Sequence, residues 1–97
     1  MKIATSETVI TGKWIATPSG QVTADDVCER INKLVQNHLR ILGHDPSGWD
    51  ALYRDPDDKR LWELLYPQGH LHGGGPPELR YLDQDQARQK YGAIADY

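Results

Sequence analysis

The chain is expected to fold as an α+β domain. A small antiparallel sheet packs on one long helix, in the order β-β-α-β-β-β-α. Three observations predict this. Apolar residues recur at helical spacing after a capping signal in the first half. Two alternating segments flank a polar four-residue turn in the second half, which is the pattern of a hairpin. The length, 97 residues, suits one domain over residues 1–97 with one modest core.

Taken in order, "TVITGKWIAT" at 8–17 is rich in Thr, Val and Ile and favours a strand, with Gly12 as a bulge. "PSG" at 18–20 is turn chemistry, and "QVT" returns as a short strand. Thr23 and Asp26 resemble a capping box, and Asp25 and Asp26 place negative charge at a helix start. Val27, Ile31, Leu34, Val35, His38, Leu39 and Leu42 then form one apolar stripe, and Gly43 is the stop. The helix therefore runs over about 24–42. Cys28 and His38 border its apolar face. Cys28 reads as a small buried residue. His38 reads as a boundary residue, because no Cys or carboxylate stands four residues away on that face.

"WDALYRD" at 49–55 and "RLWELLY" at 60–66 flank "PDDK" at 56–59. With Asp55 opposite Arg60, Tyr53 pairs with Trp62, Ala51 with Leu64 and Trp49 with Tyr66. All six point to one face, the natural partner of the helix stripe. The other face mixes Asp50, Leu52, Arg54, Leu61, Glu63 and Leu65. Either a second element covers that face or a partner does. Pro67 ends the strand. "ELRYL" at 78–82 is a last strand. Asp83 with Gln86 then caps a short helix over 84–91 that stops at Gly92.

Composition narrows the function. The single cysteine precludes an internal disulfide and suits a reducing compartment or indifference to redox. There is no apolar run of signal-peptide or membrane-span length, so a soluble cytoplasmic protein is expected. The net charge of −3 argues against nucleic acid as a direct partner. The acids are unevenly placed: residues 45–85 carry nine, against Arg54, Lys59, Arg60 and Arg80. Such a surface either serves solubility or meets something basic.

"HLHGGGPPELRYL" at 70–82 is the one stretch that suggests a ligand. His70 and His72 fall on one side of an extended chain, but zinc needs a third or fourth ligand, and only surface carboxylates such as Glu78 stand near. A phosphate loop would need a following Lys, and Pro76 and Pro77 remove two of the N–H groups it would use. No GxSxG or HExxH occurs, and Cys28 has no credible histidine partner. The paired acids Asp25/Asp26 and Asp57/Asp58 have structural reasons, as a helix cap and a turn. No catalytic residue, metal or cofactor is assigned. A small regulatory interaction module is one alternative, and a metal-dependent enzyme using His70 and His72 is a lesser one.

"GW" at 48–49, "LYRDPDD" at 52–58, "WELLYP" at 62–67 and "HGGGPPEL" at 72–79 resemble the Immunity protein 27 family. "GKW" at 12–14 and the helix beginning near "ADDVCERI" also agree. These proteins are small antidotes encoded beside toxins in bacterial polymorphic and contact-dependent systems. His72 lies inside the family pattern and His70 outside it. The resemblance implies a non-enzymatic inhibitor that binds a cognate toxin domain in the cytoplasm, one to one. It also suggests that the toxin is a nuclease with a basic groove. Protection of that kind calls for nanomolar binding, about −12 kcal/mol, over about 800 Å² per partner.

The resemblance does not supply the contact residues. Charge and strand parity point to Asp50, Leu52, Leu61, Glu63 and Leu65, with the turn acids Asp55, Asp57 and Asp58, as an apolar centre in a charged rim. If the C-terminal helix covers this face instead, Leu52 and Leu61 will be buried.

Overall fold

The computed structural model describes residues 2–16, 18–67 and 75–97. Ten elements follow one another: β1 (Val9–Thr11), β2 (Trp14–Ala16), β3 (Val22–Ala24), α1 (Asp26–Asn37), β4 (Arg40–His44), β5 (Ala51–Arg54), β6 (Leu61–Leu65), β7 (Glu78–Leu82), α2 (Gln84–Tyr91) and a 3-10 helix (Gly92–Asp96). The main sheet is antiparallel, in the order β1-β7-β6-β5-β4, and β2 and β3 make a separate hairpin. The α+β class is as expected and the element order roughly so, but the sheet is covered by two helices instead of packing on one long helix.

Both faces of the main sheet are covered. On one side Ile31 and Leu34 of α1 pack with Ile10, Ala51, Tyr53, Trp62 and Leu79. On the other, Ala87 and Tyr91 of α2 and Ala95 of the 3-10 helix pack with Leu52, Leu61 and Leu82. Leu52, Leu61 and Glu63 of the hairpin's mixed face therefore lie in an interior layer.

The hairpin register is the expected one. Tyr53 pairs with Trp62 and Ala51 with Leu64, and the Asp55 N–H donates to the Arg60 carbonyl at 2.9 Å. Trp49 departs from the expectation. It precedes β5 and is 77% exposed, while Tyr66 is 39% exposed. The C-terminal helix starts as read, with a reciprocal box between Asp83 and Gln86.

Three boundaries differ from the sequence reading. The stretch 8–17 is two strands, because the chain changes sheets at Gly12. The Gly12 N–H donates to Pro77 O at 2.9 Å, and a Cβ there would lie 2.5 Å from Cys28 Sγ. Gly12 is needed for close approach, while Cys28 fills the space beside it, buried as expected. Next, α1 is capped by Asp25, whose carboxylate accepts from the Cys28 N–H at 2.9 Å, and Thr23 remains in β3.

The third difference is the largest. The helix ends at Asn37, and the residues taken as its last turn form β4. Leu39 joins the α1 cluster, whereas Leu42 packs on the α2 side. The open edge of β5 recruits this segment as a strand, a tertiary effect that overrides the helical period. Between Ile41 and Gly43 the register shifts, with Ile41 opposite Tyr53 and Gly43 opposite Leu52. The extra residue puts Leu42 and Gly43 both toward α2. Gly43 is thus no helix stop. It makes room for Ile94, whose Cδ1 would lie 2.7 Å from a Cβ at that position.

Candidate functional site

Eight residues were expected to make a partner surface, and the structure separates them. Leu52 and Leu61 are 0% and 2% exposed beneath α2. Glu63 is buried too. Its Oε2 accepts from Tyr91 Oη at 2.7 Å and faces Lys90 Nζ at 2.6 Å. Lys90 also donates to Asp50 Oδ2 at 2.7 Å. Burial and the Glu63 carboxylate push the Tyr91 hydroxyl far above the usual phenol range. Burial works against the Lys90 charge, but the bonds to Asp50 and Glu63 outweigh it and raise its pKa. Half of the mixed face is therefore internal structure. Asp50 and Leu65 stay half-buried at one end of the hairpin, and at the turn Asp57 is exposed and Asp58 half-buried.

The turn end is heavily tied. Asp58 accepts from Arg60 Nε at 2.7 Å and from the Arg60 N–H at 3.0 Å. Arg60 in turn donates to the carbonyls of Glu7 and Ala4, pinning the N-terminal segment, and its guanidinium lies over the Trp62 ring at 4.9 Å. Burial opposes ionisation of Asp58, yet the bonds from Arg60 hold its carboxyl below the ordinary range. Asp55 is 1% exposed, and its Oδ1 lies 3.1 Å from His38 Nε2. Beside the turn, Arg40, Arg54, Pro56 and Lys59 line a cavity of about 180 Å³. Basic groups therefore flank the acids here.

The acidic bias of residues 45–85 is thus largely internal to the fold. Glu63 and Asp50 share Lys90, Asp58 meets Arg60, and Glu78 meets Arg80. Lys90, which sits outside that stretch of sequence, comes back over it on α2.

The open end of the hairpin differs. Asp45 organises the loop before β5: its carboxylate accepts from Ser47 Oγ at 2.8 Å, from the Gly48 N–H at 3.1 Å and from the Asp50 N–H at 3.3 Å. The Ser47 hydroxyl holds the Asp45 pKa down. Gly48, at φ +79°, reverses the chain, and Trp49 N–H donates to Ser47 Oγ at 3.2 Å. A bonded loop thereby presents an indole to solvent. Alternation alone had assigned Trp49 inward, and the Asp45 and Ser47 side chains preceding it were the available signal of a local turn.

His70, His72, Gly73 and Gly74 lie outside the described residues. Gly75 has φ +76°, and Pro76 is buried next to β7. Among the described residues, no helix is long and apolar enough to cross a membrane.

The family model described as Immunity protein 27 matches residues 18–83, from the turn before β3 to the cap of α2. No curated protein and no solved structure matches the chain. The match spans most of the chain, including the hairpin and both of its ends, and such family members are immunity proteins of toxin systems. The chain belongs to the Immunity protein 27 family.

Proposed function

We propose that this protein neutralises a cognate toxin domain in the bacterial cytoplasm by forming a one-to-one complex with it, and that the toxin is a basic nuclease. Family membership supports an inhibitor. The net charge of −3 favours encounter with a basic partner over nucleic acid itself.

The contact centres on the open end of the hairpin, with Trp49 as anchor and Asp50 at the rim, and it draws on Tyr66 and Leu65 at the end of β6. The observation that carries this is the 77% exposure of Trp49 on a loop already fixed by Asp45. A large aromatic on a loop whose backbone needs little ordering on binding suits the core of a tight interface. Asp57 contributes from the accessible turn as a steering charge. Leu52, Leu61, Asp55 and Glu63 support the surface from within.

The test uses the toxin domain encoded beside this gene. Trp49→Ala should weaken binding by at least about thirtyfold, or about 2 kcal/mol. Trp14→Ala, on β2 and 37% exposed, should change it less than threefold. Equal affinity of Trp49→Ala and the parent would displace the contact to another surface. Failure of the parent protein to bind any toxin domain would overturn the function itself.

A further inference from the structure

Three side chains with metal-binding chemistry converge at the turn end of the hairpin. His38 is the C-cap residue of α1, Asp55 follows β5, and Asp57 lies in the turn. His38 Nε2 is 3.1 Å from Asp55 Oδ1 and 3.7 Å from Asp57 Oδ2. One donor atom from each lies within 4.8 Å of the others. Bonds of about 2.0–2.1 Å to a tetrahedral ion set its ligands roughly 3.3 Å apart. The two short distances straddle that value.

A second observation points the same way. Asp55 is 1% exposed, and its Oδ1 accepts from the Asp57 N–H at 2.8 Å. Its Oδ2 is buried with no hydrogen-bond partner. A buried carboxylate oxygen with nothing to bond carries a desolvation cost that a cation removes. Two of the basic side chains near the turn are engaged elsewhere. Arg54 donates to the carbonyls of Lys59, Ala95 and Tyr97, and Lys59 Nζ donates to Pro56 O.

We propose that His38, Asp55 and Asp57 form a binding site for a divalent transition-metal ion of the zinc type. The donors are one imidazole nitrogen and two carboxylates, a set that suits zinc, cobalt or nickel over magnesium or calcium. The Asp57 side chain is 51% exposed, which leaves the site open to ion entry and to a water ligand. The ion would join the end of α1 to the β5–β6 turn and neutralise the buried charge of Asp55. Its role is structural, since the three ligands join two elements whose packing defines the sheet face. The site shares Asp57 with the rim of the proposed toxin contact, but metal binding is read on the protein alone and does not rest on that contact.

The full chain carrying His70→Ala and His72→Ala removes the imidazoles of the glycine-rich stretch and serves as background. Calorimetric titration with zinc chloride should show one equivalent bound, with a rise in Tm of at least about 4 °C. Cobalt should give visible d–d absorption that zinc abolishes. Asp57→Asn, at an accessible position, should keep the far-UV circular dichroism and weaken zinc binding at least tenfold, by analogy with the loss on removing even an outer-sphere partner. His38→Gln should remove the cobalt bands. No zinc binding at millimolar concentration, or unchanged affinity in Asp57→Asn, overturns the site. Because Asp57→Asn alone decides, misfolding of the His38 variant leaves the test intact.

Discussion

On the α1 side of the β5–β6 hairpin, Ala51, Tyr53 and Trp62 meet Ile31 and Leu34 in an apolar cluster, bordered by the Arg60 guanidinium over the Trp62 ring. On the α2 side, Leu52 and Leu61 share their layer with Glu63, Tyr91 and Lys90. The first side is held by shape and apolar area. It even leaves the indole N–H of Trp62 without a partner. The second holds a carboxylate that is tolerable only because a hydroxyl and an ammonium satisfy it. Sequence alternation places residues on a face, but it cannot tell a face turned to a partner from one covered by a polar, bonded helix.

The sharpest way to break the comparison is on the apolar side. Trp62→Ala should cost about 3–5 kcal/mol in urea unfolding, since the side chain is 0% exposed and leaves a cavity under α1. The charged side should respond less to loss of one bond. Tyr91→Phe removes the 2.7 Å hydrogen bond to Glu63 while Lys90 stays, and should cost about 1–2 kcal/mol. A Tyr91→Phe loss as large as that of Trp62→Ala would mean that the polar layer dominates.

The smallest effect lies outside both layers. The hydrogen-bonded Arg30 guanidinium lowers the Glu7 pKa from 4.5 to about 2. A depressed carboxyl pKa gives stability that is present above about pH 4.5 and lost as the pH falls toward 2. Both side chains are partly solvated, so the contribution is modest. Arg30→Gln should make stability fall less steeply between pH 5 and 2, as read by urea midpoints across that window. A slope identical to the parent's would rule out this pair as its source.

Much of the fold was legible because local and tertiary signals agreed. The turn "PDDK" and the aromatic alternation fixed the hairpin register, and Asp83 with Gln86 fixed the start of α2. Disagreement produced the misreadings. Leu39 and Leu42 fit a helical stripe, but the open edge of β5 made strand β4 the better use of Leu42 and its neighbours, with Leu39 in the bend before it. Trp49 fit the strand alternation, but the carboxylate of Asp45 closed a loop before the ladder could reach it. The partners of His38 were invisible to helix spacing because Asp55 lies 17 residues away and arrives through the hairpin turn. The fate of Glu63 depended on Lys90 and Tyr91, which reach it only after α2 docks.

The bulge in β4 has a consequence for how copies of this chain meet one another. β4 is an outer strand of the main sheet, and an outer strand offers unpaired N–H and C=O groups to any passing chain. Here the run is five residues long and its regular hydrogen-bonding rhythm is broken between Ile41 and Gly43. Arg40 and His44 stand at its two limits. A second molecule aligning there finds too short a straight template to extend the sheet. The irregularity that seats Ile94 inside the fold also blunts the rim through which small β-rich proteins aggregate.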